Sequence, residues 1–181
     1  MARLIFTEDN HEYRVDGIVY PSVSEIMRFV SREVYGDINQ YTLDNAADRG
    51  SRVHKACEIL DKYGKVECDD DIAPYVMGYV KFLREHKPVW GSIEKPMHQP
   101  RFLYAGTIDR AGMMDGGPSV IVDIKAVHTV NKRIVTPQLN AYAWLTDTRP
   151  DALFVLHLKP DETYKLIPIP FDDSAFMACL S

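Results

Sequence analysis

The stretch Ser119-Val120-Ile121-Val122-Asp123-Ile124-Lys125 decides the fold class. Its apolar run reads as a β-strand, and it ends in Asp-Ile-Lys. Side chains alternate along a strand, so Asp123 and Lys125 share one face while Ile124 points to the other. A carboxylate and an ammonium thus stand together at a strand end, and a surface ion pair is the plain alternative. On the N-terminal side, Asp115-Gly116-Gly117-Pro118 reads as a hairpin turn to a strand over residues 102–114, with another strand over 92–97 before it. On the C-terminal side, Thr136 suits an N-cap and Pro137 a first helical position, which predicts a helix over 137–145. Strands over 152–158 and 164–169 follow.

Toward the N-terminus the pattern changes. Short strands over 4–6, 13–15 and 18–20 flank an Asp16-Gly17 turn, a strong hairpin signal. Ser22 with Glu25 three residues on forms a capping box, predicting a helix to about residue 30. Helical spacing returns over 41–62 and 72–86. This order predicts an α/β chain with a central mixed β-sheet flanked by helices, plus an N-terminal β-hairpin and helical element. The expected organisation is a single domain over 1–181, with hairpin and helices in 1–90 and the catalytic sheet and following helix in 91–170.

Composition narrows the function classes. With 46% hydrophobic and 26% charged residues, the chain reads as an ordinary globular protein, not a disordered or collagen-like one. No apolar run approaches the ~20 residues of a membrane span, and the first residues do not read as a signal peptide. Cys57, Cys68 and Cys179 form an odd set, consistent with free thiols in a reducing compartment. The expected location is cytoplasmic, or the host cytoplasm for a viral protein. A net charge of −5 weighs against a general nucleic-acid binder. Basic residues nevertheless cluster locally: Arg49, Arg52 and Lys55 surround His54, and the acid-free stretch 124–146 holds Lys125, Lys132 and Arg133. Phosphate-loop, dinucleotide and nucleophile-elbow motifs are absent, which weighs against a nucleotide motor, a dinucleotide oxidoreductase and an α/β-hydrolase.

Asp109, in Gly106-Thr107-Ile108-Asp109-Arg110, falls roughly opposite Asp123 across the predicted hairpin. Two facing carboxylates repel unless a cation joins them, and hard oxygen ligands suit Mg²⁺ or Mn²⁺. The alternative is that Asp109 pairs with Arg110 or faces solvent. Gln138 and Tyr142 lie one helical turn apart on one face, as do His54 and Glu58. Zinc held by His54, Cys57 and Cys68 lacks a fourth ligand at a recognised spacing.

In order, Arg49-Gly50-x-x-x-His54, Gly106-x-x-Asp109-Arg110, Asp123-x-Lys125 and Gln138-x-x-x-Tyr142 resemble the RecB-like branch of the PD-(D/E)XK nuclease superfamily, which includes CRISPR-associated and phage exonucleases. The resemblance spans about residues 49–142. It implies a restriction-endonuclease-like core and a metal-dependent DNA nuclease, an exonuclease of phage-type or bacterial recombination. A structure-specific endonuclease and a non-catalytic DNA-binding module on the same fold stay open. It implies Asp109, Asp123 and Lys125 as catalytic residues. The implied holders of one or two Mg²⁺ or Mn²⁺ ions are His54, Asp109, Asp123 and the Ile124 carbonyl. Gln138, Tyr142, Arg49, Arg52, Lys132 and Arg133 would contact the nucleic acid. Glu58 and Glu94 are nearby acids outside that set. Asp123 stands where relatives often have Glu, and the cysteines do not match the cluster pattern of some relatives, so no iron–sulfur cluster is expected. DNA is the implied partner, with a recombination or annealing protein as a further candidate; no membrane partner is expected, and the oligomeric state stays open.

Overall fold

The computed structural model describes residues 2–180. The chain opens with β1 (Leu4–Thr7), β2 (Glu12–Val15) and β3 (Ile18–Tyr20), which form a small antiparallel sheet. Asp16 and Gly17 make the β2–β3 turn with φ of 49° and 84°, a conformation that the Asp-Gly pair adopts readily. Ser22 then caps α1 (Val23–Ile26), and both arms of the capping box with Glu25 are formed. The helix expected to reach residue 30 breaks at Met27. That residue leaves helical geometry (φ −83°, ψ 4°) with its side chain buried in the core, and α2 (Arg28–Tyr35) starts afresh. Two longer helices follow, α3 (Gln40–Tyr63) and α4 (Ala73–His86). Gly64 ends α3 in the left-handed conformation that a C-cap glycine supplies.

Five strands form the main sheet in sequence order: β4 (Val89–Gln99), β5 (Tyr104–Met113), β6 (Ser119–Lys125), β7 (Ala152–Leu158) and β8 (Tyr164–Ile169). All neighbours are antiparallel except β6 and β7, which run parallel. A parallel pair needs a crossover, and α5 (Lys132–Leu145) provides it. This helix begins at Lys132 and not at residue 137. Asn131 is the cap, its side chain accepting the Arg133 N–H at 2.9 Å. Pro137 lies inside the helix, where it removes one backbone donor without ending the element. A last helix, α6 (Ser174–Cys179), packs Phe176 edge-on against Tyr104, with ring centroids 5.0 Å apart.

Helices cover both sheet faces, which gives an α/β architecture with a mixed five-stranded sheet and a separate small antiparallel sheet. On one face, Ile121, Leu153 and Val155 pack with Leu139 of α5 and Phe176. On the other, Val122, Ile124 and Leu156 pack with Val53, Tyr79 and Phe82 of α3 and α4. Each fully buried aliphatic or Phe side chain contributes ~1.5–3 kcal/mol. β6 sits between these cores, so its end is held from both sides. The small sheet is tied on by the Tyr13 hydroxyl, which shares a 2.8 Å hydrogen bond with Thr107 Oγ1, and by a bridge between Ser22 and Ala105.

β4 leaves no room for a side chain at Gly112 of β5, where a Cβ would lie 2.2 Å from the Val89 carbonyl oxygen. That contact is with backbone, which cannot swing aside. Gly112→Ala is expected to destabilise the fold by ~1–3 kcal/mol, the usual cost of overpacking, measured as a lower midpoint in urea denaturation with an unchanged m-value.

Candidate metal centre

The site forms at the C-terminal end of β6, where both backbone polar groups of Ile124 are taken by side chains. Its N–H donates to Asp109 Oδ2 at 2.8 Å, and its carbonyl accepts from His54 Nε2 at 2.8 Å. Asp109 comes from β5, one residue beyond the last ladder pair, Arg110 with Val122. His54 comes from α3, near the middle of that helix. A hydrogen on Nε2 leaves Nδ1 facing two carboxylates, Glu94 Oε1 at 3.5 Å and Asp109 Oδ2 at 3.6 Å. Ligand atoms of His54, Glu94 and Asp109 all lie within 4.8 Å of one another.

On the α5 side of the strand, Lys125 donates to Asp123 Oδ1 at 3.1 Å and lies 2.8 Å from Oδ2. Asp123 is buried, at 1% exposed, and Lys125 is half-buried, so the plain alternative of a surface ion pair does not hold. Asp123 Oδ2 is buried yet accepts no aligned hydrogen bond. Gln138 donates to the Tyr142 hydroxyl at 3.0 Å, and both line the same cleft of about 750 Å³ as His54, Glu94, Asp109 and Lys125.

Glu94 is the residue that sequence reasoning left outside the ligand set. It lies in β4 with φ of +45°, a left-handed conformation uncommon for a non-glycine residue in a strand. Arg110 holds it: Nη1 donates to Glu94 Oε1 at 2.8 Å. The same fully buried guanidinium bonds Asp61 Oδ2 at 2.6 Å and the Tyr79 hydroxyl at 3.2 Å. Arg110 does not pair with the Asp109 carboxylate; it reaches that residue only at its backbone carbonyl, at 2.7 Å. The sequence carries no sign of this clamp, because a left-handed residue within a strand leaves no mark in the hydrophobic pattern.

The remaining expected contact residues are placed unequally. Lys132 is exposed at the first turn of α5, and Arg133 beside it pairs with Glu33 at 3.0 Å. Arg49 donates to the Ala126 carbonyl at 3.3 and 3.2 Å. Arg52 is bound by Asp48, Asp69 and Asp71, at 2.9, 3.2 and 2.6 Å. Glu58 is neutralised by Lys55 and Lys62 on its own helix.

Acids outnumber cations at the strand end. Four carboxylates (Asp61, Glu94, Asp109, Asp123) meet two permanent cations, Arg110 and Lys125, with His54 between them. Burial opposes a charge on His54, but Asp109 and Glu94 raise its pKa to about 9. Burial raises Asp123 to about 6, with Asp109 adding to the rise and Lys125 opposing it. Burial also works against the Lys125 charge, yet Asp123 and Asp109 hold its pKa above the ordinary value. Burial and the two aspartates push Tyr142 well up, so it stays a neutral donor. With no cation bound, the proton on His54 offsets the surplus. An imidazole and carboxylates in one cluster can hold a divalent ion, and the nitrogen favours a transition ion such as Mn²⁺ over Mg²⁺.

No family model and no curated protein matches the chain. Among solved structures, that of SSO0001 is similar at 16% sequence identity and a TM-score of 0.36, over 85% of this chain and 81% of that one. Among the described residues, no helix is long and apolar enough to cross a membrane.

Two outcomes follow from the charge arrangement. A cation must displace the His54 proton, so Mn²⁺ binding at neutral pH is expected to release close to one proton. Apparent affinity should then rise roughly tenfold per pH unit until about pH 9 and level off above it. Calorimetry in buffers of different ionisation enthalpy measures this. Arg110→Met strands Asp61 and Glu94 without their buried partner, and is expected to cost ~3–5 kcal/mol in denaturant unfolding.

Proposed function

We propose that the protein is a divalent-metal-dependent deoxyribonuclease with a restriction-endonuclease-like core of the RecB-like type, acting as an exonuclease. The observation that carries this reading is the meeting of His54, Glu94 and Asp109 with the Asp123–Lys125 pair at one strand end, in one cleft. A ligand cluster alone fits many roles. A cluster beside a half-buried, carboxylate-held lysine fits hydrolysis of a phosphodiester, which needs a positioned water and a cation for the charge that develops on the phosphoryl oxygens.

His54 and Asp109 are common to the ligand set implied by the resemblance and to the cluster in the structure; Asp123 and Glu94 are the further acids on either side. A bound Mn²⁺ or Mg²⁺ supplies Lewis acidity and a water of lowered pKa. The chain's own residues do the rest. Lys125, kept charged and fixed by Asp123, orients the attacking water and stabilises the charge on the phosphate. Arg110 holds Glu94 in place from behind. Tyr142 and Gln138 offer neutral hydrogen bonds to the strand, and Lys132 at the start of α5 offers an exposed charge to a flanking phosphate. Arg52 and Arg133 join that role only by giving up the carboxylates they hold.

End-labelled linear DNA and a closed circle, each incubated with Mn²⁺, Mg²⁺ or EDTA, test the reading. The expected result is metal-dependent loss of the linear DNA alone, slowed at least ~10²-fold by Lys125→Ala. Cutting of the circle moves the protein to the endonuclease class. If the wild type leaves every substrate intact while binding DNA without metal, the catalytic reading is wrong and a binding module takes its place.

A further inference from the structure

The cleft is also lined by residues that the phosphodiester chemistry does not use. Phe6 of β1, His11 at the β1–β2 turn and Tyr13 of β2 line it together with the charged strand end. Their rings form one cluster. Phe6 stacks on Tyr13 with centroids 4.6 Å apart and planes at 27°. His11 stands edge-on to both, at 5.2 and 5.5 Å. Phe6 and Tyr13 are direct cross-strand partners, so the pairing register fixes their contact. Tyr13 is buried and its hydroxyl is held by Thr107, two residues before Asp109 in β5. The cluster is therefore fixed relative to the ligand-bearing strand. Phe6 stays half-buried and His11 exposed, with His11 in the left-handed region at φ 51°.

We infer that Phe6 and His11, backed by the buried Tyr13, form a stacking platform for an unpaired base, so that the substrate taken into this cleft is a single-stranded DNA end. The inference rests on the nuclease reading and names its substrate class. The Phe6 ring has nothing to offer a phosphate, whereas every base has a π-face that stacks on it. Inside a duplex those faces are covered by neighbouring bases and only the edges are presented. A base reaches the platform only where the strand is unpaired. The phosphodiester chemistry fixes the orientation: the phosphate goes to Lys125 and the ligand cluster at the end of β6, which leaves the neutral base to the hairpin rings lining the same cleft. The volume, about 750 Å³, falls within the range of small-molecule clefts and suits one or two nucleotides.

The test uses the full chain with Ca²⁺ in place of Mn²⁺, an oligonucleotide carrying 2-aminopurine at its end, and a blunt duplex of equal length. Stacking quenches the 2-aminopurine fluorescence. The wild type is expected to quench the single strand and to bind it at least ~10-fold tighter than the duplex. Phe6→Leu, which keeps apolar bulk without the ring, and the exposed His11→Ala should each weaken single-strand binding by roughly 5-fold or more, whereas Phe6→Trp should retain it. Thermal melting of each variant separates lost stacking from lost fold. A Phe6→Leu variant that melts and binds single strand like the wild type overturns the platform, and so does wild-type preference for the blunt duplex. Cleavage with Mn²⁺ separates the two claims. Cutting that depends on Lys125 but not on Phe6 removes the platform alone; no cutting by the wild type removes the nuclease reading.

Discussion

The structure depends on how one strand ends. β6 is sandwiched between two cores, so the backbone groups at its C-terminus cannot turn to bulk water and must find partners within the protein. Ile124 finds them in an aspartate from β5 and a histidine from α3, one on each backbone polar atom. This requirement is structural, yet it has a chemical result. It draws a carboxylate and an imidazole to the same point from elements far apart in sequence, and it aims their remaining ligand atoms into the cleft. The alternation of side chains about Ile124 then delivers Asp123 and Lys125 to the neighbouring face.

Burying charge at such a point is costly, and the surrounding residues share the cost. Arg110, fully buried, binds Asp61 and Glu94 and ties α3 and β4 to β5. Lys125 offsets Asp123, and His54 takes up a proton that a free imidazole would release near pH 6.5. Each acid is thus balanced from behind or beside, while the side facing the cleft keeps a surplus of negative charge. A site intended only for stability gains little from such an arrangement, since apolar residues of the same volume usually serve as well. A cation is the simplest group that completes it.

Much of this was legible in the sequence. The hairpin turn at residues 115–118 set the register closely enough to put Asp109 opposite Asp123, and the observed ladder runs toward that pair. The Asp16-Gly17 turn and the Ser22–Glu25 capping box were also readable, because turn chemistry is local. What escaped was set by tertiary packing. Pro137 looked like a helix start but is carried inside α5, because Asn131 caps the helix earlier. Glu94 stood apart from the motifs because nothing local announces its left-handed backbone or its tie to Arg110, 16 residues on. Arg52 read as a phosphate contact, yet three aspartates hold it, of which only Asp48 lies within one helical turn.

The most direct measurement is diffraction at the manganese absorption edge from crystals of the full chain grown with Mn²⁺. The account predicts an anomalous peak at the end of β6, within about 2.0–2.4 Å of His54 and of an Asp109 oxygen. It also predicts loss of that peak in Asp109→Asn. A peak that forms only at the acidic stretch 69–71, or a strand end that stays empty at saturating Mn²⁺, would contradict it.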